Sequence, residues 1–257
     1  MAYQDDRAAL GAKVLQDLFA EEPVQRSTPL ANSELDFVSA EVWTRAGLSS
    51  QARWLTALTC VAEAANATEN ERYAYGALQS KALTMAEIRE FVLHFAVYCG
   101  WSKARAMDQA VTRAAQRLGL AEPEEPPPLV LEPKSERQAR GSACWMDVMT
   151  FPAPPPAEPY TDAGILNFVF GEMWDRPGLD RKGRRWVTLA SVGLCDGLGP
   201  IKSHLWAAVN SGDVSLEELG EFILFYAVYA GWPKGSVMLT TARDIAARVA
   251  DGRTLFD

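Results

Sequence analysis

Only two histidines occur in the 257 residues, His94 and His204, and imidazole is the side chain best able to give or take a proton near neutral pH. His204 opens the helical stretch His204-Leu-Trp-Ala-Ala-Val-Asn-Ser-Gly212, where it can carry a proton or simply cap a neighbouring carbonyl. His94 lies in a segment that is apolar nearly all round. The plain reading there is a hydrogen-bonded core histidine, and the sharper one is a composite site shared with His204. Glu221 and its counterpart Glu90 begin matching helical turns and suit either proton transfer or an ion pair with arginine. Arg184 and Arg185, with Arg53, offer guanidinium donors able to clamp a carboxylate, although an arginine at a helix start is commonly solvated. Trp206 offers a wall for an apolar pocket, and Tyr229 a phenol that needs a partner once buried. Cys60, Cys99, Cys144 and Cys195 show neither Cys-x-x-Cys spacing nor a disulfide framework, and Cys195 reads as a small buried apolar residue. No metal site is assigned.

These residues sit on a unit written twice. Glu90-Phe-Val-Leu-His-Phe-Ala-Val-Tyr-Cys-Gly-Trp-Ser-Lys-Ala104 recurs as Glu221-Phe-Ile-Leu-Phe-Tyr-Ala-Val-Tyr-Ala-Gly-Trp-Pro-Lys-Gly235, with nine of fifteen positions identical and an offset of 221 − 90 = 131. Glu41-Val-Trp43 and Glu172-Met-Trp174 keep the same offset (172 − 41 = 131). A duplicated unit buries its apolar face against a copy of itself. The reading divides the chain into a lead-in with one amphipathic helix over 4–22 ended by Pro23 (1–33), a first repeat (34–120), a proline-rich linker (121–159) and a second repeat (160–257).

Within each repeat the periodicity is helical throughout and no alternating strand pattern appears, so the expected class is all-α. A short helix carries Glu-x-Trp, followed by helices over 49–65 and 180–195, then 69–81 and 200–211. The fourth helix opens on a capping box, Thr84-Met-Ala-Glu87 or Ser215-Leu-Glu-Glu218, and stops at Gly100 or Gly231. The fifth spans 102–118 or 233–249. Apolar residues surround the fourth helix, which predicts burial against the sister repeat or another chain. In the linker, proline fixes extended backbone, while Cys144–Met149 is apolar enough to dock on a surface.

A net charge of −8 gives no basic footprint for nucleic acid. No signal-peptide pattern opens the chain and no apolar run approaches the ~20 residues that span a bilayer. A reducing cytoplasm is the expected setting, with a small molecule and no membrane or nucleic acid as partner.

The segments Asp180-Arg-Lys-Gly-Arg-Arg-Trp-Val-Thr-Leu-Ala190, His204–Gly212 and Ser215-Leu-Glu-Glu-Leu219 through Leu224-Phe-Tyr-Ala-Val-Tyr-Ala-Gly-Trp-Pro233 resemble the carboxymuconolactone decarboxylase family, which is related to alkylhydroperoxidase D. The resemblance covers nearly all of the second repeat and, more weakly, residues 34–120. It implies two tandem alkylhydroperoxidase D-like helical repeats packed as a pseudo-twofold pair. It also implies a homo-oligomer, a dimer or trimer of such chains. Peroxidase members place Cys-x-x-Cys ahead of the histidine, at positions held here by Gly197 and Pro200, so thiol peroxidase chemistry is the poorer expectation. The decarboxylase type implies a cofactor-independent lyase or isomerase acting on a lactone or cyclic carboxylic acid. His204, Glu221 and His94 are then the proton-handling candidates, with Arg184, Arg185, Trp206 and Tyr229 binding substrate. The chain departs from the family where Arg185 replaces a common glutamate, a place Arg53 is expected to take in the first repeat, and its histidines are divided between the halves. That division supports a second expectation, a non-catalytic binding or scaffold member.

Overall fold

The computed structural model describes residues 2–21, 28–123, 132–195 and 197–256, and the elements among them are all helical. In order they are α1 (Ala2–Phe19), α2 (Pro29–Ser33), α3 (Glu34–Val42), α4 (Ser50–Ala64), α5 (Ala67–Gln79), α6 (Met85–Cys99), α7 (Trp101–Leu118), α8 (Lys134–Met149), α9 (Tyr160–Met173), α10 (Arg181–Leu194), α11 (Leu198–Asn210), α12 (Leu216–Ala230) and α13 (Trp232–Ala250). Pro23 and most of the first proline run lie outside the described residues. Among the described residues no helix is long and apolar enough to cross a membrane.

Local chemistry sets the helix ends. Both predicted capping boxes form: Thr84 and Ser215 accept from the amides of Glu87 and Glu218, whose carboxylates reach back to the cap amides. Gly100 and Gly231 follow at φ +97, a conformation that favours glycine, and release the chain into the fifth helix. The two Glu-x-Trp helices, α3 and α9, are π-helical. The Trp43 amide reaches back five residues to the Val38 carbonyl at 3.0 Å, and Trp174 to Val169 at 3.1 Å. Each wide turn ends by delivering its tryptophan toward the opposite half.

The segment expected as an extended linker contains a helix, α8, which packs along α9 as α1 packs along α3. The contact is made at glycine: a Cβ on Gly11 would lie 2.1 Å from the Leu35 carbonyl oxygen, and one on Gly141 1.8 Å from that of Leu166. Residues 134–149 carry no proline and place Gly141, Cys144, Val148 and Met149 on the buried side. The flanking prolines hid that pattern.

The fourth helix finds its burial inside the chain. α6 packs on the following α7 and on α10 of the other half, and α12 on the following α13 and on α4, while α4 and α10 also pack on each other. Phe91 and Phe222, partners at the offset (222 − 91 = 131), are fully buried in this seam, each worth about 1.5–3 kcal/mol of transfer free energy. One continuous apolar cluster therefore runs from Leu15 to Ile245, with residues of both halves in it. A smaller cluster under α8 joins Cys144, Val148 and Met149 to Phe170, Trp174 and Ala207.

Candidate functional site

Crossing of the fourth helices carries residues of the first half into the second. Trp174, at the end of α9, donates its indole N–H to the Tyr98 hydroxyl of α6 at 3.1 Å. The Tyr98 ring contacts both imidazoles, 5.1 Å from His94 and 5.6 Å from His204 between ring centroids. The two histidines, distant in sequence, thus share one phenol as a neighbour.

His94 is fully buried. Its Nδ1 faces the Arg184 Nη1 at 3.4 Å and its Nε2 lies 2.9 Å from the Thr188 hydroxyl. A guanidinium only donates, so Nδ1 accepts and Nε2 carries the hydrogen given to Thr188. Burial, then the charge of Arg184, holds the His94 pKa well below the ordinary histidine value. It is a neutral, fully engaged core histidine.

Arg184 is almost wholly buried. Its Nη2 donates to Glu90 at 3.2 Å and to the Arg176 carbonyl at 2.7 Å, and Arg176 itself grips Glu90 at 2.7 Å. This guanidinium has little left for a substrate. Arg185, equally buried, donates from Nε to Asp213 at 2.9 Å and from Nη2 to the Val148 carbonyl at the end of α8, and its guanidinium lies 5.2 Å from the Trp174 ring centre. Its Nη1 has no partner. Neither arginine is solvated as a helix-start arginine would be: α6 and the loop at Arg176 cover Arg184, and the end of α8 and Asp213 cover Arg185.

His204 is partly exposed. One edge of the ring lines a cleft of about 630 Å³ between α9, α10 and α11, and its Nδ1 is buried with no partner. Burial, then Arg185, pushes its pKa down to about 3. The exposed edge weakens the desolvation penalty, but the direction is clear and the ring is neutral at pH 7. Tyr98, Ser191, Ser203 and Cys195 share the cleft with it, and burial raises the Tyr98 phenol to about 12, so its hydroxyl stays protonated.

Other expected site residues lie elsewhere. Glu221 is paired bidentately with Arg45 at 2.5 Å, and its pKa is held down chiefly by that bond; it is absent from the residues lining the His204 cleft. The carboxylate brought near the histidines is its twin, Glu90. Tyr229 accepts from Trp43 at 2.8 Å and meets Tyr73 at 3.2 Å, on the other side of the seam. Trp206 faces a separate hollow beside Phe151, Asn210 and Leu255. Arg53 repeats Arg184 rather than Arg185 (184 − 53 = 131): it donates to the Arg45 carbonyl as Arg184 does to that of Arg176. Cys195 is exposed rather than buried, and all four cysteines are free. No group of three metal-ligating side chains converges among the described residues. Sequence reasoning missed Thr188, although a threonine three residues after Arg185 on a buried helix face marks a polar stripe.

The positions 131 residues away from these site residues carry rings. At the offset, His204 becomes Tyr73 (204 − 131), Arg185 becomes Trp54 (185 − 131) and His94 becomes Phe225 (94 + 131). Trp43 packs on Trp54 at 4.9 Å and Phe225 at 5.0 Å, while Phe19 of α1 seals the cluster against Trp54 at 5.5 Å and Tyr73 at 5.2 Å. Only one of the two equivalent places keeps imidazoles.

Comparison with known proteins bears on the second half. Residues 159–244 match the pattern of the Carboxymuconolactone decarboxylase family. The 4-carboxymuconolactone decarboxylase of Acinetobacter baylyi is 37% identical over 81 residues, which is 32% of this chain and 60% of that protein. Nitrosuccinic acid decarboxylase npaB of Metarhizium robertsii is 35% identical over 100 residues, 37% of this chain and 69% of that protein. The chain thus spans under two thirds of the first relative and just over two thirds of the second.

Proposed function

We propose, for a chain that belongs to the carboxymuconolactone decarboxylase family, that the cleft at His204 removes carbon dioxide from a carboxylic acid whose electron pair passes into an adjacent electron-accepting group. The observation that carries this reading is a neutral imidazole open to a cleft on one edge, with its buried Nδ1 unpartnered. The names of the two relatives support it. Each joins decarboxylation to an acid bearing a lactone in one case and a nitro group in the other, and both groups can hold an electron pair.

In this mechanism the bond from carbon to the carboxylate breaks, carbon dioxide leaves and the pair moves onto the acceptor oxygen as an enolate or nitronate. The carbon then takes a proton. Net turnover consumes one proton from solvent. His204 supplies it: a bound anion offsets the Arg185 charge, raises the imidazole pKa and lets the ring collect a proton and pass it on. Arg185 stays buried as a fixed cation that favours the developing anion, and Tyr98 remains a protonated donor against the His204 ring. His94 acts as a positioning residue through Thr188 and Tyr98. Glu221 and Tyr229, tied up across the seam, take no part.

We further propose that the chain is a tandem pair in which each unit begins at the helix α1 or α8. The matched contacts of Gly11 and Gly141 support this, as do the exchanged pairs Trp43–Tyr229 and Trp174–Tyr98.

The test is carbon dioxide release from a panel of acids with an adjacent lactone, keto or nitro acceptor, running from 4-carboxymuconolactone and nitrosuccinate to aromatic and alicyclic members, with the acid turned over fastest compared between the parent chain, His204→Ala and Glu221→Gln. The reading expects at least a hundredfold loss for the first and less than twofold for the second. Turnover unchanged by His204→Ala sinks it. A second reading, binding without chemistry, is favoured by the fact that no charged side chain lines the cleft among the described residues; ligand binding without carbon dioxide release would establish it.

A further inference from the structure

The cleft at His204 is walled by Trp145, Phe170, Ile165, Val169, Val97 and Val192, and its polar groups are hydroxyls, a thiol and one neutral imidazole. None of its described lining residues is Lys, Arg, Asp or Glu. The nearby cations are already committed. Arg176 and Arg184 both hold Glu90, and Arg185 holds Asp213 and the Val148 carbonyl, with one buried nitrogen left over on each of Arg184 and Arg185. A volume of about 630 Å³ falls within the range of pockets that enclose ligands of many heavy atoms. It far exceeds what a four-carbon diacid fills.

Two physical arguments follow. A second carboxylate in this cleft would give up its water with no lining cation to receive it, which disfavours its burial. An aromatic or alicyclic body would release water from facing apolar walls, which favours its binding. Both favour one charge on a large apolar frame.

Resting on the decarboxylase reading of this site, we infer that its substrate is a bulky, mainly hydrophobic monocarboxylic acid, aromatic or alicyclic, rather than a small polycarboxylate. The carboxylate lies at the His204 end, where the Arg185 charge is nearest, and the ring system lies between Trp145, Phe170 and Val169. Cys195, an exposed thiol lining the same cleft, provides a reporter independent of turnover.

The experiment uses the full chain with 2-naphthoate and succinate as probes. Binding is followed by tryptophan fluorescence and calorimetry, and occupancy by the rate at which Cys195 reacts with a thiol reagent. The expected result is a dissociation constant for 2-naphthoate at least tenfold below that for succinate, with at least fivefold protection of Cys195. Val169→Arg should weaken 2-naphthoate at least tenfold and improve succinate, with the helical circular dichroism unchanged. Succinate binding as tightly as 2-naphthoate in the parent chain overturns the inference, and so does 2-naphthoate binding that leaves Cys195 fully reactive; neither measurement depends on the variant folding. The two readings fail differently. Efficient carbon dioxide release from a small polycarboxylate, with bulky acids excluded, would overturn the substrate class and uphold decarboxylation. Tight, protecting 2-naphthoate binding with no release from any acid would do the reverse.

Discussion

Trp174 and Tyr98 belong to opposite halves of the chain and are joined by a single hydrogen bond of 3.1 Å. The bond pins the phenol that touches both imidazoles, and Trp43 and Tyr229 repeat it at 2.8 Å across the seam. It connects the fold to the site directly, because the π-helical turn of α9 sets the tryptophan and the tryptophan sets Tyr98.

Trp174→Phe keeps the ring but leaves the Tyr98 hydroxyl without its donor. It should destabilise the protein by about 1–2 kcal/mol, the cost of one buried hydrogen bond, measured by urea denaturation. Trp43→Phe should cost a similar amount while leaving ligand binding at the His204 cleft unchanged.

The two histidines predict a pH-dependent stability. Both have folded pKa values below the ordinary 6.5, chiefly from burial. Below pH 6.5 the unfolded chain therefore binds more protons than the folded one. Their contribution is whole above pH 6.5 and is lost as the pH falls toward the folded values, by at most about 1.4 kcal/mol per pH unit for each group. His94→Phe, which installs the residue found at the twin position, should flatten the fall between pH 6.5 and 4. Unchanged slopes in denaturation series would contradict the assignment.

Arg185→Met removes a buried cation that lowers the His204 pKa. The imidazole should titrate at higher pH in the variant, read from its ring proton resonances, even though loss of the Asp213 partner makes the protein less stable. A downward shift would refute the electrostatic account.

The crossing of α6 and α12 predicts that the halves do not stand alone. Residues 1–123 expressed without the remainder should give no cooperative thermal transition, because the α10 surface that covers α6 is missing. Mixed with residues 132–257, they should recover a transition and elute as one species in size-exclusion chromatography.

Much of this architecture was legible in the sequence. Thr84–Glu87 and Ser215–Glu218 announced helix starts by local hydrogen bonding alone, and the ring-rich run from Phe222 to Tyr229 announced deep burial. What escaped depends on contacts distant in sequence. Sequence position puts Glu221 and His204 in one repeat. The fourth helices cross over, however, so it is Glu90 that reaches the histidine side. Arg184 and Arg185 stand at a helix start, where arginine is commonly solvated, yet α6 covers the first and α8 the second, and prolines on both sides hide α8 in the sequence. His94 and His204, 110 positions apart (204 − 94), meet only through Tyr98.

The aromatic packing around Trp54 has a consequence for how such a protein can change. In a self-paired shorter chain, every substitution lands on both faces of the pair, and no residue can become phenylalanine on one side while staying histidine on the other. Covalent linkage lifts that constraint. Phe225 and His94 are encoded separately, so under the tandem-pair proposal one face can keep imidazoles while its counterpart becomes a packed aromatic cluster.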